Sequence, residues 1–466
     1  MAIMGRGDHR DIAANATGRN LLMLCYYYPP LTDVGCRRSV AFSRYFKKYG
    51  WKPTVLSVSN PDPVFCRVGN DRPPEGVDVV YCRSWVNTYW FLGKLNGLLT
   101  RALRSFGIQL KRNPFYDLMN IPDLFWGWIP AATIKGCQLM RKQSIDLIYV
   151  SCTPFSSAVA GVLLKKLTGK PLVIDFRDPF ALEIPPFPLN DVPSYRRYIN
   201  RTLETWLLRH TDVFVVTPDE IRQRYIQQYP WIHDKICTIY NGIEPADIRV
   251  DEREDFPKFT VVYGGNFYFD YIKSDVFFQA LAHLQAAGNI TADNFQFLYY
   301  GGDGKRIKDK AKEYAIEDLV IVNGMIPYQK MLNILAGADL QLLRIVEANM
   351  GTKIFDGLAL NVPLLATIPE GEPSDIVRKY SPDSYLVGTR EPEKVADAIL
   401  DAMNKREGGQ RKERRSNTEF FKVFSREATA RQLMEIIEQQ LYMMHDTQCA
   451  PTSGFQTKNT DDELRN

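Results

Sequence analysis

From Asn20 to Val387 the chain alternates short apolar runs with stretches of helical period, and this alternation constrains the fold more than any other feature. Seven runs in the first half read as strands: Asn20–Tyr26, Pro53–Val58, Val77–Tyr81, Asp146–Ser151, Pro171–Phe176, Asp212–Thr217 and Ile236–Tyr240. Six more follow: Phe259–Tyr263, Phe295–Tyr300, Leu319–Val322, Leu340–Arg344, Pro363–Thr367 and Ser384–Val387. Helical patterns such as Ser39–Tyr49, Ser157–Leu167 and Ser274–Ala287 fill the gaps. That order predicts an α/β chain whose parallel sheets carry helices on both faces.

At 466 residues the chain exceeds one ordinary domain. The two strand series are separated by Arg249–Lys258, charged and poor in hydrophobics, which reads as a linker or as a charged surface loop. Taken as a linker, it divides an N-terminal domain (20–248) from a C-terminal one (259–417). Residues 418–445 keep a helical period through Phe421, Phe424, Leu433, Ile436, Ile437 and Leu441, and are expected to close the fold as one long helix packing back on the N-terminal domain. Residues 1–19 and 446–466 are polar and read as disordered.

A net charge of +4 is too balanced to suggest nucleic acid. The eight cysteines form no Cys-x-x-Cys pair, which favours reduced thiols in a cytoplasmic protein, and five scattered histidines form no metal cluster. No run approaches the ~18–20 apolar residues that span a bilayer, so the protein is expected to be soluble or to lie on a membrane surface.

Polar clusters sit at the strand ends, where parallel sheets place ligands. Tyr26-Tyr27-Tyr28-Pro29-Pro30-Leu31-Thr32-Asp33-Val34-Gly35-Cys36-Arg37-Arg38 follows the first strand. Gly35 permits close backbone approach, and Arg37 and Arg38 offer forked donors to phosphate or carboxylate; an ordinary turn with solvated arginines would look the same. Asp175-Phe176-Arg177-Asp178-Pro179 suits an acceptor hydroxyl or proton transfer, or else a structural salt-bridge knot. Asn241-Gly242 is a tight turn shaping a cleft floor. In the second half, Gly264-Gly265-Asn266 with Lys273 can cradle a diphosphate. Between two apolar runs, Gly351-Thr352-Lys353 opens a short helix with Asp356 one turn in. Free amides and a lysine at a helix start attract anions, and the aspartate can accept from sugar hydroxyls, so the segment describes a site for a diphosphate joined to a ribose.

In this order along the chain, the Tyr-Pro-Pro…Gly-x-x-Arg loop, Ser151–Ser157, Asp175–Pro179, Tyr240–Ile243 and Thr352–Asp356 resemble the retaining GT-B glycosyltransferases of family 4, in the branch serving bacterial polysaccharide synthesis, over roughly Asn20 to Met444. The resemblance implies GT-B architecture, two Rossmann-like domains facing each other across a cleft. It implies transfer of a sugar from a nucleotide-sugar to a lipid-linked or oligosaccharide acceptor, with no metal or other cofactor and no nucleic-acid partner. It places Gly264, Gly265, Lys273, Lys353 and Asp356 on the donor, Gly35, Arg38 and Asp178 at the catalytic centre, and Asp175 and Arg177 on the acceptor side. This chain departs from the family in three ways. The residue eight before Asp356 is Ala348 rather than a glutamate, with Glu347 one position out of register, and Asp356 is one methylene shorter than the expected glutamate. The Gly35 loop also holds one glycine where many relatives have more.

Tyr89–Asn113 carries Lys94, Arg101, Arg104, Lys111 and Arg112 and no acid, with Leu95, Leu98, Leu99, Ala102 and Phe106 on one helical face. Such a helix suits an anionic membrane surface, although the apolar face can equally be core. Phe125, Trp126 and Trp128 read as buried packing or as an interfacial anchor. Two other functions fit the same resemblance: a nucleotide-sugar 2-epimerase, and an inactive relative that binds sugar nucleotide or scaffolds an assembly.

Overall fold

The computed structural model describes residues 18–86, 88–107, 120–182, 193–270, 272, 274–345, 350, 353–409 and 417–449. Its first seven strands are β1 (Asn20–Cys25), β2 (Lys52–Val58), β3 (Asp78–Cys82), β4 (Ile145–Cys152), β5 (Leu172–Phe176), β6 (Val213–Val216) and β7 (Ile236–Thr238). They form one parallel sheet in the order β3-β2-β1-β4-β5-β6-β7. A second parallel sheet contains β8 (Phe259–Gly264), β9 (Phe295–Tyr300), β10 (Val320–Asn323), β11 (Leu340–Arg344), β12 (Leu364–Thr367) and β13 (Tyr385–Val387), in the order β10-β9-β8-β11-β12-β13. Each predicted strand is present, displaced by one residue at most at either end except at β7, which stops at Thr238, two residues early.

The alternation of strand side chains fills both faces of the first sheet. Leu22, Leu24, Ile148, Val150 and Ile174 meet Ala158, Val162 and Leu164 of the helix Ser156–Thr168 on one face. Leu21, Met23, Leu147, Tyr149 and Val173 line the other face, where Phe42 and Phe46 of the helix Val34–Lys48 pack beside Leu433, Met434 and Ile437. Full burial of such a side chain is worth about 1.5–3 kcal/mol, so the last helix belongs to the core of the first sheet.

That last helix differs from expectation. Residues 418–445 form two helices, Thr418–Phe424 and Arg426–Cys449, broken at Ser425. The Ile243 amide donates to the Phe424 carbonyl (2.8 Å), and the Arg426 amide donates to the Ile243 carbonyl (2.9 Å). These bonds to the Asn241-Gly242-Ile243 turn replace the helical ladder at the break. Gly242 has φ +66°, and a Cβ there would lie 3.2 Å from the Phe424 carbonyl oxygen. The crossing chain therefore needs this turn to carry a glycine.

In both sheets the chain order reverses beside the first strand, between β1 and β4 and again between β8 and β11. A crevice opens beyond the carboxyl ends of the strands at such a reversal. The Gly35 loop leaves β1, and the Gly264-Gly265 loop leaves β8. The domains also touch through Glu372, which accepts from the Tyr240 hydroxyl and from the Glu220 amide (3.1 Å).

Candidate active site

In the N-terminal half, Arg177 leaves β5 and spends its donors on backbone. Nε reaches the Cys152 carbonyl (2.9 Å), Nη1 the Gly35 carbonyl (2.9 Å) and Nη2 the Thr153 carbonyl (3.0 Å). It thereby pins the loops after β1 and β4, the two that flank the chain reversal. A Cβ on Gly35 would stand 2.9 Å from Nη1 of Arg177, so the small residue is what lets the guanidinium in.

Arg38, which the resemblance places at the catalytic centre, and Asp175, which it places on the acceptor side, have side chains 3% and 0% exposed that pair with each other at 2.7 Å. Arg38 also donates to the Tyr240 carbonyl (2.7 Å), and Asp175 accepts from the Tyr149 hydroxyl. The pair is the salt-bridge knot that the sequence left open, and Arg38 also borders the cleft cavity. Asp178, by contrast, is exposed and reaches the cleft.

The C-terminal half is built on the helix Lys353–Leu360. Ile354, Phe355, Leu358 and Ala359 bury one face, which leaves Lys353 and Asp356, one turn apart, on another. Asn361, at φ +53°, ends the helix in the left-handed region. Gln341, buried on β11, donates to the Lys353 carbonyl (3.0 Å) and so fixes the helix start. The Lys353 ammonium donates to the Tyr263 hydroxyl (2.7 Å) and the Asn266 carbonyl (2.6 Å) and lies 4.3 Å from the Tyr263 ring centre. Burial and the nearby Arg344 charge push its pKa down to about 7. Gly265, at φ +93°, packs beneath it, and a Cβ there would meet Cε of Lys353 at 3.0 Å. Asp356 accepts from the Tyr328 hydroxyl (2.6 Å), and burial raises its carboxyl to about 6.

Tyr328 and Arg344 are functional candidates that the sequence reading missed. Arg344, buried at the end of β11, donates to the carbonyls of Phe267 (3.0 Å), Ile272 (3.3 Å) and Ser274 (2.9 Å). A charged residue closing an apolar strand was its only signal in the sequence.

A cavity of about 210 Å³ lies between the halves. Arg37, Arg177 and Asp178 wall it on one side, Tyr328, Phe355 and Asp356 on the other, and Asn241 and Gly242 lie at the junction. The Arg37 guanidinium sits 5.3 Å from the Tyr328 ring centre across the cleft. Asp178, Arg177 and Asp356 are thus brought together around one cavity. Gly264 and Gly265 at the end of β8, with Lys353 of the facing helix start against Gly265, form a neighbouring cluster and do not line this cavity. Lys273, Gly351 and Thr352 lie outside the described residues.

The basic helix is described over Thr88–Ser105; Lys111 and Arg112 lie outside the described residues. No described side chain of this helix is buried. Leu98 is 64% exposed, Phe106 just beyond the helix 80%, and Trp85 just before it 66%. Trp128 is fully buried, 5.4 Å from the Tyr26 ring, so it is core and not an anchor. Among the described residues, no helix is long and apolar enough to cross a membrane.

Two family models match the chain in succession. The one described as Glycosyltransferase Family 4 covers residues 37–247, and the one described as Glycosyl transferases group 1 covers residues 258–405. No curated protein matches the sequence. Among solved structures, a glycosyltransferase from Rickettsia africae ESF-5 superposes with a TM-score of 0.57 at 16% identity, covering 91% of this chain and 99% of that one. A sucrose-phosphate synthase from Thermosynechococcus elongatus gives 0.56 at 14% identity, covering 91% and 100%. A variant of S. aureus TarM, in complex with fondaparinux, alpha-GlcNAc-glycerol and UDP, gives 0.52 at 10% identity, covering 90% and 99%. With a glycosyltransferase model matched by each domain and two facing parallel-sheet domains in the fold, the chain is a GT-B glycosyltransferase of the family 4 and group 1 type.

Proposed function

We propose that this enzyme moves a sugar from a nucleotide-sugar held by the C-terminal domain to a lipid-linked saccharide acceptor, with retention and without a metal ion, in the assembly of a bacterial surface polysaccharide. The observation that carries this reading is the interdomain cavity, where Asp356 and Tyr328 of one domain face Asp178 and Arg37 of the other.

In this scheme the ribose hydroxyls donate to Asp356, displacing or sharing the Tyr328 hydroxyl. The diphosphate lies against the Gly264-Gly265 loop. The Lys353 ammonium turns from the Asn266 carbonyl toward it, with Lys273 as a further cation. The acceptor hydroxyl attacks the anomeric carbon from the face of the leaving group. A carbon–oxygen bond to the acceptor forms, the bond to the phosphate oxygen breaks, and its electron pair leaves with the nucleoside diphosphate. The departing phosphate oxygen takes the hydroxyl proton. Fixed positive charge beside the leaving diphosphate lowers the barrier in a site shielded from water. Arg177 and Gly35 hold the acceptor-side loops in place, and Arg38 supports them through its pair with Asp175.

The lipid-linked acceptor rests on the helix Thr88–Ser105. Its Lys94, Arg101 and Arg104 are exposed beside the bare apolar positions Leu98 and Leu99. A helix of this composition binds an anionic bilayer through apolar burial and charge together, which would place the enzyme on the cytoplasmic membrane face.

A thermal-shift screen against uridine, guanosine, adenosine and cytidine diphosphates tests the donor, because occupancy raises stability by mass action. UDP, present in the TarM complex, is the first arm. Sugar transfer into a lipid extract in the presence of the matching nucleotide-sugar tests the acceptor. Donor binding with no transfer to any lipid acceptor would replace this reading with the inactive-binder alternative, and consumption of the nucleotide-sugar without release of nucleotide would favour an epimerase.

A further inference from the structure

A second cavity of about 400 Å³ adjoins the cleft and shares Arg37 and Arg426 with it. Arg44 and Arg72 also line this side cavity. Four acids line it beside the four arginines: Asp33, Asp71, which is exposed, Glu244 and Asp247. Both oxygens of Glu244 accept from the Tyr45 hydroxyl (2.9 and 3.0 Å), with Arg44 only at 3.8 Å. Asp33 accepts from the Arg67 amide (3.1 Å). Asp247 touches Arg426 at one nitrogen, at 3.4 Å, and is itself more than half exposed.

Arg426 is the anomaly. Its side chain is 14% exposed, and its Nε is buried without a hydrogen-bond partner. Burial above all, and then the positive charge of Arg37, weigh against its charged form and outweigh the support it draws from Asp247 and Glu244. Two guanidinium groups thus face one cavity, and Asp247 meets Arg426 at one nitrogen only, which leaves the Arg426 Nε unpartnered. A guanidinium matches the geometry of a carboxylate or phosphate in forked pairs, and a buried unpaired donor is a lasting cost unless a ligand supplies the acceptor.

We infer that the side cavity receives an oxyanion carried by the acceptor, either the carboxylate of an acidic sugar or a phosphate, seated between Arg37 and Arg426. This rests on the transferase reading above and specifies its acceptor class. The anionic group docks beside the cleft while the attacking hydroxyl of the same molecule enters the cleft cavity. Arg72, exposed at the rim, adds attraction at the entrance. A neutral acceptor would leave the Arg426 Nε as it stands.

The test is ligand-observed NMR on the full chain with the donor site saturated by the best nucleoside diphosphate. The probes are glucuronate, glucose 6-phosphate and methyl glucoside. At least one anionic sugar is expected to bind tenfold or more tightly than methyl glucoside, and the preferred anion identifies the source as carboxylate or phosphate. Arg426→Gln should reduce the preference to within twofold. Arg37→Gln, at an exposed side chain, should reduce it at least threefold, and keeps the test open if Arg426→Gln does not fold. Equal binding of neutral and anionic probes, a preference that survives both variants, or loss of anion binding when nucleotide is added would each overturn the assignment. Failure of every nucleoside diphosphate to bind would instead overturn the transferase reading, so the two failures are distinct.

Discussion

Lys353 offers the most direct test of the donor site, because its ammonium is held away from solvent with its pKa near neutrality. With that pKa at about 7, roughly half of the empty molecules carry the proton at pH 7. A diphosphate that replaces the Asn266 carbonyl stabilises the ammonium, and a charge-assisted hydrogen bond of this kind is worth about 1.5–3 kcal/mol. That equals roughly one to two pKa units, or about 10–160-fold in Kd. Binding therefore takes up about 0.4–0.5 of a proton at pH 7 and about 0.4–0.8 at pH 8. Affinity should fall by about three- to sevenfold per pH unit at its steepest, midway between pH 7 and the pKa of the complex at about 8–9. The terminal phosphate of a nucleoside diphosphate titrates at about 6, so it contributes little to this slope. Stability of the free protein should move the other way. The fold disfavours the ammonium, a penalty that is full below about pH 7 and fades between there and the ordinary value of 10.5. Calorimetric titration from pH 7 to 9, in two buffers of different ionisation heat, reads both proton uptake and Kd. In Lys353→Gln the pH slope should vanish and Kd at pH 7 should rise by the stated factor. A variant that keeps the wild-type slope would refute the argument, since no proton on Lys353 would then be linked to the donor.

Four further outcomes follow from the same geometry. Arg38→Ala leaves Asp175 buried without its cation and should destabilise the protein by about 3–5 kcal/mol in urea unfolding; a loss below ~1 kcal/mol would mean the pair is dispensable. Gly265→Ala strains a φ of +93° and collides with Lys353, so nucleoside diphosphate affinity should fall tenfold or more with little change in acceptor binding. Tyr328→Phe removes the bond that holds the Asp356 carboxylate down, so Asp356 should titrate above its present value of about 6, and donor affinity should weaken at a correspondingly higher pH. Leu98→Glu with Leu99→Glu, on the exposed face of the basic helix, should abolish co-sedimentation with vesicles containing phosphatidylglycerol while leaving nucleotide binding intact.

The architecture was legible because buried parallel strands write themselves as short apolar runs, and those limits survive almost unchanged, as at Phe295–Tyr300 and Leu340–Arg344. The break at Ser425 was not legible. The periodicity of residues 418–445 is intact across it, and its cause is a bond to Ile243 in a distant turn. Site residues divided in the same way. Asp356, Lys353 and Arg177 stand at strand or helix ends, where topology exposes them, so position alone gave a fair guide. Arg38 and Asp175 occupy similar positions, yet Asp175 is on β5 facing inward and Arg38 follows it into the core. Which face of a strand end meets solvent depends on what covers it, and here Tyr149 and Tyr240 do the covering. Arg426 lies far from every motif and reaches the cleft only because the last helix returns to the first sheet.

The two domains solve one electrostatic problem in parallel ways. Each must hold a loop at the chain reversal of its sheet, where backbone carbonyls crowd together. Arg177 does so in the first domain and Arg344 in the second, each spreading one guanidinium over three carbonyls. Carbonyl dipoles neutralise only part of a full charge, and no carboxylate pairs with either arginine within ion-pair distance among the described residues. Burial lowers Arg344 to about 10, which still leaves it protonated at neutral pH. The loop braces therefore leave residual positive potential at the floor of both crevices, and Lys353 adds to it in the second. A field that is already in place when the diphosphate begins to leave needs no reorganisation to stabilise it. Replacing Arg344 by Met would test this directly. If the arginine only braces, transfer and nucleotide affinity should fall together with the thermal midpoint. If its field also matters, the Lys353 pKa should rise once the neighbouring positive charge is gone, and the steep pH dependence of donor binding should move upward with it.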